Sequence, residues 1–272
     1  MYAQLNAQRS AWTVDPEPPH RRSRQGRVGM IETQQLTKVF QDKKRGEIRA
    51  VNGVTFRCQP GQIYGLLGAN GAGKTTTLRM LATILEPTGG TARVAGYDVV
   101  EESQKVRANV GFLSTATALY GRLTAQEMVE YFGRLHGLDE VTLGRRVVEI
   151  FQRLEMNEFR DRRCDKLSTG MKQKVSIART LVHDPPVMIF DEPTLGLDVM
   201  TARTIVGFIR ECRQNGKTVI FSTHVMSEAE KLCDTIGIIH NGCILAEGTL
   251  AELRQRYGEQ DLEEIFVRVV TN

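Results

Sequence analysis

The segment at 68–76, which reads GANGAGKTT, constrains this chain more than any other. Gly68, Gly73, Lys74 and Thr75 fit the pattern G-x-x-x-x-G-K-[ST]. Glycines let the backbone wrap so tightly that several N–H groups point at one anion, and a following helix adds its positive N-terminal end. In this pattern the lysine reaches the β- and γ-phosphates of a nucleotide, and the threonine hydroxyl ligates Mg²⁺. The segment therefore predicts a phosphate site formed by Gly68, Ala69, Asn70, Gly71, Ala72, Gly73, Lys74, Thr75 and Thr76.

The flanks of this loop support the same interpretation. The apolar run QIYGLL at 62–67 is typical of a buried strand, and TTLRMLA at 76–82 has helical spacing. Strand, loop and helix in this order are the context that the pattern requires. The alternative is an ordinary glycine-rich turn beside a chance lysine, but such a turn would not need a strand before it and a helix after it. We therefore favour a nucleotide site.

Composition excludes several classes of protein. The chain has 272 residues, of which 41% are hydrophobic and 25% charged, as is ordinary for a globular protein. Its net charge of +4 is too small to indicate a nucleic-acid surface. No stretch approaches the roughly 18 to 20 apolar residues of a membrane helix. The five cysteines are scattered and form no C-x-x-C pair, which favours reduced thiols in a cytosolic compartment.

Residues 1–29 differ from the rest of the chain. They are rich in proline, arginine and polar residues and show no hydrophobic period, so we expect a flexible basic extension. Its arginines either contact anionic lipid or RNA or are simply solvated. Translation could also begin at Met30, where the folded pattern starts.

From residue 31 onward, strand-like and helix-like segments alternate. This pattern predicts an α/β domain over 30–272, with a mainly parallel sheet and helices on both faces. The helical patterns within 125–163 predict an insertion at about 116–166. Two apolar runs separated by Asn-Gly at 241–242 predict a closing hairpin, which with later helices fills 234–272.

Two carboxylates follow the apolar run VMIF at 187–190. The carboxyl ends of parallel strands meet at one edge of the sheet, so we expect Asp191 and Glu192 beside the phosphate loop. Asp191 would bind Mg²⁺, directly or through water, and Glu192 would polarise the attacking water. Chance capping of a strand end by two acids is the alternative, and the phosphate loop upstream disfavours it.

Further segments complete an ordered set: LTKVF at 36–40, LSTGM at 167–171, EPT at 192–194, GLD at 196–198 and STH at 222–224. With the phosphate loop, this set resembles the ATP-binding subunit of an ABC transporter from about residue 31 to the C-terminus. The resemblance implies an ABC-type phosphate-loop NTPase with an N-terminal antiparallel β region and an inserted helical subdomain. It also implies ATP and Mg²⁺ as cofactors and ATP hydrolysis as the reaction.

The resemblance implies roles for residues outside the phosphate loop and acid pair. Ser168 and Gly170 would bind the γ-phosphate held by an opposite subunit, so that two chains sandwich two ATP molecules. His224 would contact the γ-phosphate and hold the water with Glu192, and Phe40 would stack on adenine. The catalytic residues that the resemblance implies are Lys74, Glu192 and His224.

Three of these residues have plainer interpretations that stay open. Ser168 alone would be an ordinary helix N-cap, and His224 an ordinary polar strand end. Phe40 would be a packing residue, because the long segment QDKKRGEIRA at 41–50 leaves its register open.

The chain departs from the family pattern at three positions. Thr115 stands where many members have a glutamine that contacts Mg²⁺ and the water, and its hydroxyl is too short to reach as an amide does. Thr169 and Met171 replace the commoner glycine and glutamine, while Ser168 and Gly170 are kept, so we expect activity to survive. The segment TALYGRLT at 117–124, the threonine-glycine-methionine signature at 169–171 and the tail DLEEIF at 261–266 together resemble the export-type branch, which includes sodium-efflux and drug-efflux ATPase subunits.

Two classes of function follow. The first is an energy-coupling subunit that acts as a homodimer on a membrane permease at the cytoplasmic face, with no nucleic-acid partner. The insertion at 116–166 would meet the permease, with Tyr120 among the contacts. The alternative is a soluble ABC-type ATPase in DNA repair or translation, but the chain has neither a long coiled coil between Lys74 and Ser168 nor a second ATPase half. Sodium, drug, lipid and polysaccharide all remain open as substrates.

Overall fold

The computed structural model of this chain describes residues 30–44, 46–114 and 118–271. The expectations for residues 1–29 and for Thr115 lie outside these residues. The described residues form ten strands: β1 (Ile31–Asp42), β2 (Gly46–Cys58), β3 (Ile63–Leu67), β4 (Gly89–Val94), β5 (Tyr97–Asp98), β6 (Val110–Ser114), β7 (Val187–Asp191), β8 (Thr218–Thr223), β9 (Thr235–His240) and β10 (Cys243–Gly248).

The same residues form nine α-helices and two short 3₁₀ turns. The helices are α1 (Lys74–Leu81), α2 (Ser103–Asn109), α3 (Ala125–Leu135), α4 (Glu140–Arg153), α5 (Thr169–Leu181), α6 (Val199–Gln214), α7 (Met226–Leu232), α8 (Leu250–Tyr257) and α9 (Leu262–Thr271). The 3₁₀ turns, Asn157–Phe159 and Cys164–Lys166, lie between α4 and α5.

The strands form two sheets. One has the order β10-β9-β3-β8-β7-β6, and its strands are parallel except for β10, which runs antiparallel to β9. The other has the order β2-β1-β4-β5 and is antiparallel throughout. The prediction of a mainly parallel sheet with an N-terminal antiparallel β region is confirmed.

The central strands β3, β7 and β8 are buried at every position, as expected of strands that are covered on both faces. Along β7, Val187 and Ile189 pack with α1, α2 and the antiparallel sheet, whereas Met188 and Phe190 pack with α3 to α6. This alternation divides the apolar residues between two layers of core and fixes β7 in one register.

The N-terminal hairpin is longer than the sequence indicates. The segment at 41–50, whose length leaves the register of Phe40 open in the sequence, belongs largely to the strands: β1 continues to Asp42 and β2 begins at Gly46. Phe40 pairs with Ile48 across this hairpin. The strand ends are exposed and charged, so they show no hydrophobic alternation that would reveal them in the sequence. Helix α1 ends at Leu81, and Thr83, which follows it, takes a left-handed φ of 59°.

The helices between β6 and β7 have strong local start signals. A capping box between Thr124 and Glu127 begins α3, and the Asp139 carboxylate accepts two backbone N–H groups at the start of α4. Their apolar faces pack with α5 around Met128, Phe151 and other buried residues. Local capping and a shared apolar core therefore define this part of the chain.

The C-terminal segment closes the parallel sheet. Asn241 and Gly242 both have positive φ, 47° and 77°, and join β9 to β10 as the Asn-Gly pair predicts. In α9, Leu262 and Ile265 are buried and Phe266 is partly buried against the same core cluster. This apolar face of α9 is used for packing.

The five cysteines are free thiols. Burial raises the pKa of Cys58 and of Cys212 to about 12, so both remain protonated at neutral pH. These thiols act as small apolar groups of the core.

Two helical glycines offer a matched test of how tightly the helices between β6 and β7 pack. A Cβ at buried Gly133 would overlap the side chain of Leu143, whereas one at Gly144 would meet nothing within 4 Å. We expect Gly144→Ala to raise the free energy of unfolding by about 0.5–1 kcal/mol, because alanine is the better helix former. Gly133→Ala should lower it by about 1 kcal/mol or more, because overpacking outweighs that gain. Denaturant unfolding of both variants measures this, and equal stabilities would contradict it.

Candidate functional site

The phosphate loop is held from three sides. The N–H of Gly68 donates to the Thr223 carbonyl oxygen at 3.3 Å, and the N–H of Gly242 donates to the Ala72 carbonyl oxygen at 2.9 Å. Gly73 has a φ of 106°, and a Cβ there would lie 2.6 Å from the Ala50 carbonyl oxygen of β2. The loop therefore needs glycine here both for its backbone conformation and for its close approach to β2.

Lys74 is the first residue of α1, and its side chain is only 4% exposed. Its Nζ donates to the carbonyl oxygens of Gly68 and Ala69 at 2.7 and 3.0 Å, and forms an ion pair with Glu192 Oε1 at 2.9 Å. A buried ammonium needs such partners because leaving it unpaired would cost several kcal/mol. Lys74 thus joins the phosphate loop directly to the acid pair.

Asp191 lies at the end of β7, opposite Ser222 in the parallel ladder with β8. Its Oδ1 accepts a hydrogen bond from Thr75 Oγ1 at 2.8 Å and another from Ser222 Oγ at 3.0 Å. The structure therefore brings Thr75 and Asp191 together at the predicted sheet edge.

Glu192 turns its carboxylate back toward the loop. It has a φ of 47°, which is unusual for a residue other than glycine. Its Oε1 faces Lys74, and its Oε2 lies 2.8 Å from His224 Nδ1. Lys74, Glu192 and His224 thus form a continuous chain of contacts.

Two hydroxyls that the sequence analysis did not assign support this cluster. Ser222 Oγ accepts from the backbone N–H of Glu192 at 3.0 Å while donating to Asp191. Thr223 Oγ1 donates to Glu228 and accepts from the N–H of Val225, which fixes the turn that carries His224. A hydroxyl pair at the end of a buried apolar strand was the available signal for both.

Ser168 and Gly170 lie apart from this cluster. Ser168 is the N-cap of α5, where its Oγ accepts from the N–H of Met171 at 3.3 Å. A Cβ added at Gly170 would lie 4.0 Å from the hydroxyl of Thr201, which is at the start of α6. Hydrogen bonds from Thr201 lower the pKa of the neighbouring Asp198. Within the described residues, neither Ser168 nor Gly170 bonds to the phosphate loop or the acid pair of its own chain.

Phe40 lies on β1 near the loop rather than in it. Its ring is 38% exposed beside Ile48, which is 37% exposed, and Lys38 Nζ lies 5.3 Å from its centroid. Strand β2 touches the phosphate loop at Ala50, two residues beyond Ile48. Phe40 therefore lies on the strand next to the one that touches the phosphate loop, and its ring is partly exposed.

The Thr75 hydroxyl and the Asp191 carboxylate are both hard oxygen donors, the ligand type that Mg²⁺ prefers. These two oxygens, which lie 2.8 Å apart in a hydrogen bond, would hold Mg²⁺. In the described part of the chain, no group of three or more His, Cys, Asp or Glu side chains forms a metal cluster. Thr75 and Asp191 therefore fit Mg²⁺ by the type of their donor atoms.

These contacts define the class of protein. A glycine-rich loop between a parallel strand and a helix, with two carboxylates from a nearby strand, characterises a phosphate-loop nucleoside triphosphatase.

Comparisons with known proteins give the family. The family model described as ABC transporter matches residues 51–195. The ABC transporter ATP-binding protein NatA of Bacillus subtilis is 41% identical, covering 88% of this chain and 97% of that protein. Nod factor export ATP-binding protein I of Paraburkholderia xenovorans is 39% identical, covering 82% of this chain and 74% of that protein. The chain belongs to the ABC transporter family and is an ATP-hydrolysing, ATP-binding subunit.

A solved structure agrees with this assignment. It is a dimeric ATP-binding cassette in a post-hydrolysis state with ADP and phosphate, with a TM-score of 0.72 and 26% identity, covering 81% of this chain and 98% of that one. ATP-binding subunits of this family work with membrane permease components and form dimers. The alternative in DNA repair or translation has no support, and α3 and α4 span only 11 and 14 residues, too short for a long coiled coil. None of the helices in the described ranges has the length and apolar character needed to cross a bilayer.

The contact between Gly73 and β2 generates a prediction. Gly73→Ala should strain the loop by about 1–3 kcal/mol, because alanine disfavours a φ of 106° and its Cβ would press on the Ala50 carbonyl. We expect ATP affinity to fall about tenfold or more, measured by displacement of a fluorescent analogue. Gly71→Ala is the control, since Gly71 also has positive φ but an added Cβ meets nothing within 4 Å. Equal losses in the two variants would contradict the importance of the β2 contact.

Proposed function

We propose that this chain powers export through a separate membrane permease by binding and hydrolysing ATP. The observation that carries the proposal is the chain of contacts from Lys74 through Glu192 to His224, beside the bond between Thr75 and Asp191. Export is supported by the relative that is named for Nod factor export. It also agrees with the export-type features of the sequence.

Lys74 would bind the β- and γ-phosphates of ATP. Its contacts with Glu192 and with the carbonyl oxygens of Gly68 and Ala69 support this role, because they hold the ammonium against the loop. Phosphate oxygens would compete with Glu192 for this ammonium, and backbone N–H groups in the first turn of α1 would receive further oxygens. Phe40 would stack on the adenine ring.

Glu192 would orient the attacking water once phosphate occupies Lys74. Its other oxygen stays within reach of His224. His224 would contact the γ-phosphate and hold the water together with Glu192. Thr75 and Asp191 would hold Mg²⁺. Bound there, Mg²⁺ would offset the negative charge that develops during phosphoryl transfer.

Ser168 and Gly170 would complete the site of a second copy of this chain. Ser168 caps α5 and Gly170 lies in its first turn, and among the described residues neither bonds to the phosphate loop of its own chain. The start of this helix would therefore suit a phosphate from outside. A homodimer would then contain two ATP molecules, each between the phosphate loop of one chain and the α5 start of the other.

The permease would dock on a helical subdomain at about 116–166 within an ATPase domain at 30–272, and residues 1–29 would be a basic extension. Tyr120 is 56% exposed and meets Tyr131 edge to face, with Leu135 also exposed nearby on α3. Contiguous exposed apolar side chains are typical of a protein contact. Through this contact the chain would lie at the cytoplasmic face of the membrane.

Glu192→Gln in the full-length chain tests the proposal. The amide keeps the shape of the side chain but cannot accept a proton, so hydrolysis should fall about 100-fold or more. The trapped protein should elute as a dimer with ATP and Mg²⁺ and as a monomer with ADP. A variant that binds ATP yet stays monomeric would contradict the sandwich.

A second substitution separates the dimer contact from stability. Ser168→Ala added to Glu192→Gln should weaken the ATP-dependent dimer. Thr249→Ala is the matched control, because Thr249 caps α8 through a similar hydroxyl to backbone N–H bond. Both changes remove an N-cap and should cost similar stability. If Ser168 has a specific role at the dimer contact, sizing chromatography with ATP will show less dimer for Ser168→Ala than for Thr249→Ala.

A further inference from the structure

We propose that Ser222 is a positioning residue for hydrolysis that sets the two carboxylates relative to each other. The inference rests on the proposed function of the acid pair. Ser222 is 0% exposed at the end of β8, so its hydroxyl cannot exchange its protein partners for bulk water. It does not face the phosphate loop directly, and it would act through Asp191 and Glu192.

One oxygen atom makes both contacts. Ser222 Oγ donates its only proton to Asp191 Oδ1 and accepts the backbone N–H of Glu192, each at 3.0 Å. The first bond orients the carboxylate that meets Thr75. The second anchors the backbone of the residue whose carboxylate meets Lys74 and His224. A shift at Ser222 would therefore move both carboxylates at once.

The backbone at Glu192 shows why an acceptor is needed there. Strand β7 ends at Asp191, and Glu192 turns into a left-handed conformation with a φ of 47°. Such a conformation persists in a residue other than glycine only when its surroundings hold it. Ser222 supplies the acceptor for the N–H at this turn. Without it, the N–H would lose its partner, and an extended backbone would carry the carboxylate away from Lys74 and His224.

The parallel ladder makes the contact possible. Asp191 and Ser222 are register partners in the pairing of β7 with β8, and Gly68 follows β3, which pairs with the other side of β8. Ser222 thus lies on the strand between the phosphate loop and the acid pair. A side chain at this position is therefore affected by a shift of either the phosphate loop or the acid pair.

Three variants of the full-length chain test the inference. Ser222→Ala removes the donor and the acceptor, and Ser222→Thr restores a hydroxyl. Thr218→Val is the matched control: Thr218 is equally buried on β8, and its hydroxyl also accepts a backbone N–H, from Gly61, but at the opposite end of the strand. The measurements are kcat and KM for ATP with Mg²⁺, ATP affinity in EDTA, and Tm.

We expect Ser222→Ala to lower kcat about 10- to 100-fold, the usual effect of removing a residue that orients a ligand or catalytic group. Its ATP affinity in EDTA should stay within about 2-fold of wild type, since Lys74 and the loop are untouched. Ser222→Thr should recover most of the rate. Thr218→Val should lower Tm as much as Ser222→Ala does, but its kcat should remain that of the wild type.

Two results would overturn the inference while leaving the proposed function intact. One is a Ser222→Ala chain that hydrolyses ATP at the wild-type rate. The other is a loss of kcat in Thr218→Val equal to that in Ser222→Ala, which would make the effect one of stability alone. A wild-type chain that binds ATP without hydrolysing it would instead overturn the proposed function and the inference together.

Discussion

The parallel hydrogen-bond ladder through β7, β8 and β3 is the constraint on which the site depends. It aligns Asp191 with Ser222 and the end of β3 with Thr223, so that acids, hydroxyls and the glycine-rich loop meet at one edge. A slip of one residue in any of these strands would reverse which side chains face each core. Because β7 divides its apolar side chains between two packed layers, that slip is strongly disfavoured. The core thus specifies the geometry of the site without contributing a chemical group to it.

Electrostatics impose a second constraint at the same edge. Lys74 is buried, and its charge is balanced by loop carbonyls and by Glu192. A buried pair of this kind gives specificity of position more than it gives stability, because desolvation offsets much of the attraction. For a site that must exchange one anion for another, such near balance is useful. An ammonium that was bound strongly by its own protein would be a poor phosphate ligand.

Most of the fold and the centre of the site could be predicted because their signals are local. The phosphate loop, the two acids after β7 and the histidine after β8 each follow a continuous apolar run, and parallel topology brings such strand ends together. Ser222 was missed because its role depends on register with Asp191, which no local pattern encodes. The hairpin that pairs Phe40 with Ile48 was missed because its strands are charged and exposed. The contact proposed for Ser168 would lie between two chains, so neither one sequence nor one subunit can display it.

The bond from Gly242 to Ala72 has a consequence for how the protein is made. The loop near the front of the chain rests on a hairpin near its end, and β3 also needs β8 and β9 as neighbours. During synthesis the glycine-rich segment therefore emerges well before its supports, and it cannot take its final form until the hairpin that carries Gly242 has emerged as well. Because β3 pairs with β8 and β9, it has none of its sheet neighbours until those two strands have been made. The phosphate loop can therefore be supported in its final form only after the segment from β3 to β10 has been synthesised.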